Sequence, residues 1–101
     1  MTERARPPQA SQTTLKVLNL LQKHFVHGLT NGDISKATGI SASQVVHHVA
    51  ALEAEGFADR IPETGRIRPS VRHAQACYQI TRSLEDAAAR VEELKSRITR
   101  N

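Results

Sequence analysis

The chain has 101 residues, a net charge of +4 with histidine neutral, and one cysteine, Cys77. That length holds one small domain with an appended helix and leaves no room for a large enclosed substrate cavity. A single cysteine excludes an intramolecular disulfide and a thiolate zinc cage. The basic balance points to an acidic partner, nucleic acid first. Phe25, Phe57 and Tyr78 are the only aromatics, too few for single-strand stacking platforms, so duplex is the expected form. No run approaches the roughly 18 apolar residues of a membrane span, and "MTERARPPQA" lacks a signal peptide's apolar core. A reducing cytoplasm, at the nucleoid, is the expected location.

Residues 1–10, with Arg4, Arg6 and the Pro7-Pro8 pair, predict a flexible basic arm. A first helix is expected to begin between Ser11 and Thr14 and to end at Gly28, with Leu15, Leu18, Leu21, Phe25 and Val26 on its inner face. In "LTNGDISKATG" Thr30 caps a short second helix, Asp33 stands in the capping-box position, Ile34 and Ala37 face inward, and Gly39 stops it. "ISAS" restarts the chain as a third helix, with Ser41 as the cap and Gln44 as reciprocal partner, running to about Glu55 and stopped by Gly56. Two capped helices separated only by Gly39-Ile40-Ser41 predict a helix-turn-helix.

Phe57 to Ile61 and Arg66 to Pro69 alternate in the manner of strands around "PETG", which predicts a hairpin. Residues 71–79 are compatible with a separate short helix or with an extension of the next one. From Ile80 the apolar residues Leu84, Ala87, Val91, Leu94 and Ile98 follow at spacings of four, three, four, three and four, a heptad seam.

Helix, helix-turn-helix and hairpin in this order make a winged helix-turn-helix. Residues 13–69 resemble the DNA-binding domain of the IclR-type bacterial transcriptional regulators, through "LKVLNLL", "LTNGDISKATGIS", "VVHHVAALEAEGFADR" and "PETGRIR". The resemblance implies a regulator that binds double-stranded DNA. Such regulators continue into a large effector-sensing domain, where this chain has one heptad helix instead. No small-molecule effector domain is therefore expected.

A recognition helix turns its N-terminal half toward base edges in the major groove. Counting from Ile40, the positions Val45, His48, Val49 and Leu52 face inward, so His48 is expected to be a partly buried histidine held by one hydrogen bond. Ser41, Ser43, Gln44, Val46 and His47 are left outward as the candidate DNA-reading set: glutamine pairs with adenine, serine donates or accepts, valine meets a thymine methyl. Residues 41–56 hold no Lys or Arg, so positive charge must come from elsewhere, and the hairpin can supply it. Arg66 and Arg68, two apart, share a strand face, with Arg60 on the partner strand; the bland alternative is a charged edge that resists aggregation. Arg4 and Arg6 suit either a minor-groove arm or plain disorder.

His24 and His27 stand at i, i+3 on one helix, but no Asp, Glu or Cys nearby completes a metal site, and helix-end histidines also answer the helix dipole. Cys77 and His73 lack a third orienting residue or an oxyanion loop. No metal, cofactor or catalysis is expected. The seam residues Ile80, Leu84, Ala87, Val91, Leu94 and Ile98 are expected to dimerise the chain, because operator half-sites usually require two recognition helices. The competing arrangement folds this helix back on the first one. Pairing in parallel sets Arg90 against Lys95, while Asp86–Arg90 and Glu93–Arg97 support the single helix at i, i+4. The expected class is mainly α with a small β-hairpin wing: arm 1–10, winged helix-turn-helix 11–70, dimerisation helix 71–101. The expected function is a dimeric, sequence-selective, non-enzymatic regulator; the alternative is a protein-interaction module using the same surface.

Overall fold

The first helix begins earlier than its apolar spacing suggests. In the computed structural model, which describes residues 4–100, α1 spans Gln9–Gln22 with Pro8 in extended conformation before it. The Pro8 carbonyl accepts the Gln12 N–H at 3.1 Å; a proline ahead of the first turn gives up no amide the helix needs. The expected basic arm is therefore shorter, and its first three residues lie outside the described ones. Arg4 and Arg6 are exposed.

The end of α1 also departs from expectation. Lys23 and His24 donate to the Leu20 and Leu21 carbonyls, three residues back, a tightening typical of a terminating helix. The inner face is Val17, Leu18 and Leu21, while Leu15 and Val26 are exposed and Phe25 half-buried. Val17, missing from the expected set, shares its face with Leu21 four residues on.

After Gly28, Leu29 exchanges two backbone hydrogen bonds with Ile67, both 2.8 Å. Gly28 has φ +68°, and a Cβ there would stand 2.8 Å from the Ile67 carbonyl oxygen. Only glycine lets the chain turn here and approach the hairpin so closely.

Helix α2, Asn31–Thr38, has the expected capping box: Thr30 Oγ1 accepts the Asp33 N–H and Asp33 accepts the Thr30 N–H, both 3.0 Å. These hydrogen bonds to Thr30, backbone first, hold the Asp33 carboxyl below the usual carboxylate range, with smaller help from Arg66 and Lys36. Ile34 is fully buried, but Ala37 is exposed rather than inward; in so short a helix one side chain reaches the core and the next turn already faces solvent. Gly39, at φ +77°, ends it.

Helix α3, Ala42–Ala54, buries Val45, Val49 and Leu52. With Val17, Leu18, Leu21, Ile34, Ala58 and Ile67 these form the core, each large aliphatic worth on the order of 1.5–3 kcal/mol when buried. Strands β1 (Ala58–Arg60) and β2 (Ile67–Pro69) pair antiparallel with Asp59 opposite Arg68 and Arg60 opposite Ile67. Both strands are shorter than the alternation predicts, because the chain from Ile61 to Gly65 curls into a turn closed by Gly65 N–H to the Ile61 carbonyl at 2.7 Å.

Helix α4 is continuous from Val71 to Thr99, 29 residues, so residues 71–79 extend the heptad helix. Ser70 anchors it: its Oγ donates to the Gly56 carbonyl at 2.7 Å and accepts the His73 N–H at 2.9 Å. From Gln75 onward every described residue of α4 is exposed in the single chain. It does not fold back on α1. The radius of gyration is 19.6 Å, against about 13 Å for a compact chain of this length. The order of elements, mostly helical with one two-stranded hairpin, is the expected winged helix-turn-helix with a long C-terminal helix.

Candidate nucleic-acid interface

The outward face of α3 follows from how its inner face is pinned. Ser41 Oγ accepts the Gln44 N–H at 3.3 Å, which starts the helix and sets its rotation. The cap is one-sided here, since Gln44 does not return the bond; its side chain stays exposed. Ser41, Ser43, Gln44, Val46 and His47 are all exposed, and they occupy the first two turns.

The adjacent histidines divide as their phase requires. His47 is exposed, and His48 is half-buried with Nδ1 2.8 Å from Thr14 Oγ1. The Thr14 hydroxyl also donates to the Ala10 carbonyl at 3.0 Å. A hydroxyl has one proton, so both contacts are satisfied when His48 carries hydrogen on Nδ1 and donates to Thr14. This bond ties α3 to α1. Nothing local in the sequence marks Thr14, 34 positions away, as the partner of His48.

The wing is electrostatically less free than its composition suggests. Arg60 pairs with Glu53 of α3 at 3.5 Å and donates to the Gly65 carbonyl at 3.3 Å. Arg68 pairs with Asp59 across the hairpin at 3.3 Å, and its guanidinium lies 5.4 Å from the centre of the Phe25 ring. Arg60 projects on the side of its register partner Ile67, whereas Arg68 lies on the opposite side with Asp59. Arg66, beside the turn, is exposed and forms no ion pair among the described residues. Of the three wing arginines it alone lacks a carboxylate partner among the described residues. Lys36, exposed in the last turn of α2, is the only Lys or Arg between Thr30 and Gly56; a search confined to the recognition helix and wing passes over it.

His24 and His27 are both exposed, and no group of three metal-capable side chains occurs among the described residues. Cys77 Sγ lies 3.7 Å from His73 Nε2, which also contacts the Gln22 amide at 2.9 Å. That cluster fastens the first turns of α4 to the end of α1. Ile80, Leu84, Ala87, Val91, Leu94 and Ile98 line the free part of α4 and are exposed. None of them meets the outward face of α3. Among the described residues no helix is long and apolar enough to cross a membrane.

Compared with known protein families, residues 11–60 match the model described as "Bacterial regulatory protein, arsR family". The matched stretch runs from the third residue of α1 to the end of β1 and contains the whole helix-turn-helix. No curated protein and no solved structure matches the chain.

Proposed function

We propose, from the arsR-type winged helix-turn-helix over residues 11–60, that this protein is a transcriptional regulator that reads double-stranded DNA as a homodimer. The observation that carries the reading is the capped, rotationally pinned α3, whose first turns expose Ser43, Gln44, Val46 and His47 together. Gln44 and Ser43 offer hydrogen bonds to base edges, and Val46 offers an apolar contact to a thymine methyl. Ser41, Lys36 and the wing's Arg66 serve the phosphates, with Arg60 and Arg68 joining by exchanging a carboxylate for a phosphate. The finer kinship to IclR-type domains rests on "LEAEGF" and "PETGRIR", the second of which lies beyond the matched stretch.

With no Lys or Arg on α3, the commonest specific contact, to guanine, is absent. Affinity then depends on few phosphate contacts, and specificity on α3. That same absence favours the second reading, a protein-interaction module. A salt titration separates the two. Duplex binding that weakens as a power of salt concentration, by about 0.9 in the log–log slope per phosphate contact, supports DNA reading. Failure to enrich any duplex from a random pool at low salt rejects it.

A further inference from the structure

Because α4 begins at Val71, the heptad seam starts further back than Ile80, at Cys77 and, one step earlier, at His73. The seam therefore spans the whole helix, and nothing in its own chain covers it from Gln75 on. Its N-terminal end opens into a cleft of about 370 Å³ that Phe25 and Pro69 wall and His73, Ala74 and Cys77 floor.

We propose that the α4 helices of two copies pair antiparallel, with Cys77 of each opposite Leu94 of the other. The proposal deepens the dimer reading above and rests on it. Antiparallel coiled coils stack first-row seam positions on second-row ones. In one register this occurs along the entire seam: Cys77 meets Leu94, Ile80 meets Val91, and Leu84 meets Ala87, each large residue facing a smaller one or a peer. At either end Ile98, the most exposed large apolar residue at 82%, falls opposite His73 and over the apolar cleft. The seam and its cleft are then filled together.

The flanking charges and the pairing of the large apolar residues together select this register. Arg90 lies beside Ser83 of the other helix, Arg97 beside Ala76, and Lys95 beside Ala74, so no like charges meet. A parallel pair sets Arg90 against Lys95 on both sides of the seam and leaves both clefts open. Sliding the antiparallel pair by one heptad so that Ile80 faces Ile98 sets Arg90 against Arg90 and leaves Cys77 without a seam partner, while the opposite slide brings no like charges together but leaves Leu94 and Ile98 unpaired. Like charges held in contact oppose the parallel pair and the first slide, and the loss of two large apolar residues from the seam opposes the second.

The native cysteine makes the test direct, in the full chain without DNA. In the proposed register the two Cys77 residues are separated by 17 positions of helix, roughly 25 Å at 1.5 Å per residue, beyond any disulfide. Mild oxidation of the parent should leave it free of disulfide dimer, although sedimentation should show a dimer. Leu94→Cys should give a covalent dimer linked from residue 77 to residue 94 by peptide mapping, and Leu94→Cys with Cys77→Ser should lose the link. A second set, Ile80→Cys with Val91→Cys in a Cys77→Ser background, should crosslink in the same crossed pattern. A Cys77–Cys77 link in the parent overturns the antiparallel arrangement while leaving DNA reading by α3 intact. A monomer by sedimentation, or no crosslink in either engineered set, overturns it as well.

Discussion

Gly28 offers the sharpest test of how the wing is held. Alanine there must adopt φ near +68°, a left-handed conformation costing an L-residue roughly 1–2 kcal/mol. Gly39, at φ +77° with nothing within 4 Å of a built Cβ, carries that conformational cost alone. At Gly28 the new methyl also stands 2.8 Å from the Ile67 carbonyl oxygen, 3.0 Å from Ile61 Cδ1 and 3.1 Å from Arg66 Cβ. The first of these is backbone and cannot rotate aside. Relief requires the hairpin to move off Leu29, breaking two hydrogen bonds worth about 0.5–1.5 kcal/mol each. Gly28→Ala should therefore lose about 1–3 kcal/mol more than Gly39→Ala, a further drop in melting temperature of roughly 4–24 °C at 4–8 °C per kcal/mol for so small a domain. Urea titrations of both variants against the parent measure the difference. Where Gly28→Ala remains folded, its DNA affinity should fall too, because the displaced segment carries Arg66. Equal losses in the two variants would refute the claim that close approach, and not backbone conformation alone, demands glycine at 28.

His47→Ala should leave the melting temperature within error and weaken specific DNA binding by about 1–3 kcal/mol, whereas His48→Asp should destabilise the fold by placing a carboxylate against Thr14 on a half-buried face; a swapped result in paired melts and DNA titrations would overturn the assigned helix phase. Arg66→Ala should make the salt slope of duplex binding shallower by about one, and Arg60→Ala less so because Glu53 already competes for that guanidinium; equal slopes for parent and both variants would remove the wing from the interface. The depressed Asp33 carboxyl gives α2 a stabilising contribution that is present above the ordinary carboxylate range and is lost as pH falls through the lowered folded value. Asp33→Asn should flatten the acid limb of the stability profile, and an unchanged limb in acid melts would count against it. Leu84→Asp with Leu94→Asp should yield a folded monomer by sedimentation, and a persisting dimer would exclude the seam.

What could be read from the residues alone was whatever acts locally. Thr30, Asp33 and Gly39 bracket α2 by hydrogen bonds within a few positions, Ser41 starts α3 in the same way, and the phase of "VVHHV" separates two neighbouring histidines. The heptad of α4 is equally visible. Long-range partners were not. The Leu29–Ile67 bridge pairs an isolated residue with a strand far along the chain, and no alternation announces a strand of one residue. The same blindness hid Thr14 behind His48, and Glu53 and Asp59 behind Arg60 and Arg68. The end of α1 departs from its apolar spacing for a different reason: Phe25 continues that spacing past Gln22, yet it is used in a turn, beneath the Arg68 guanidinium.

Helix α4 leaves its domain after its first turn, and from Gln75 on its described residues are exposed. A helix in water without a packed face depends on intrinsic propensity and side-chain pairs such as Glu93–Arg97, 2.9 Å apart, each worth only a few tenths of a kcal/mol. Such segments are marginal when isolated. Dilution that separates two copies should therefore also melt the distal part of α4, so that association and helix formation become one equilibrium. Far-ultraviolet ellipticity per residue should then rise with protein concentration, while the core around Val17, Ile34 and Val49 keeps its signal. Below that threshold each copy would keep its folded domain while the distal part of α4 frays.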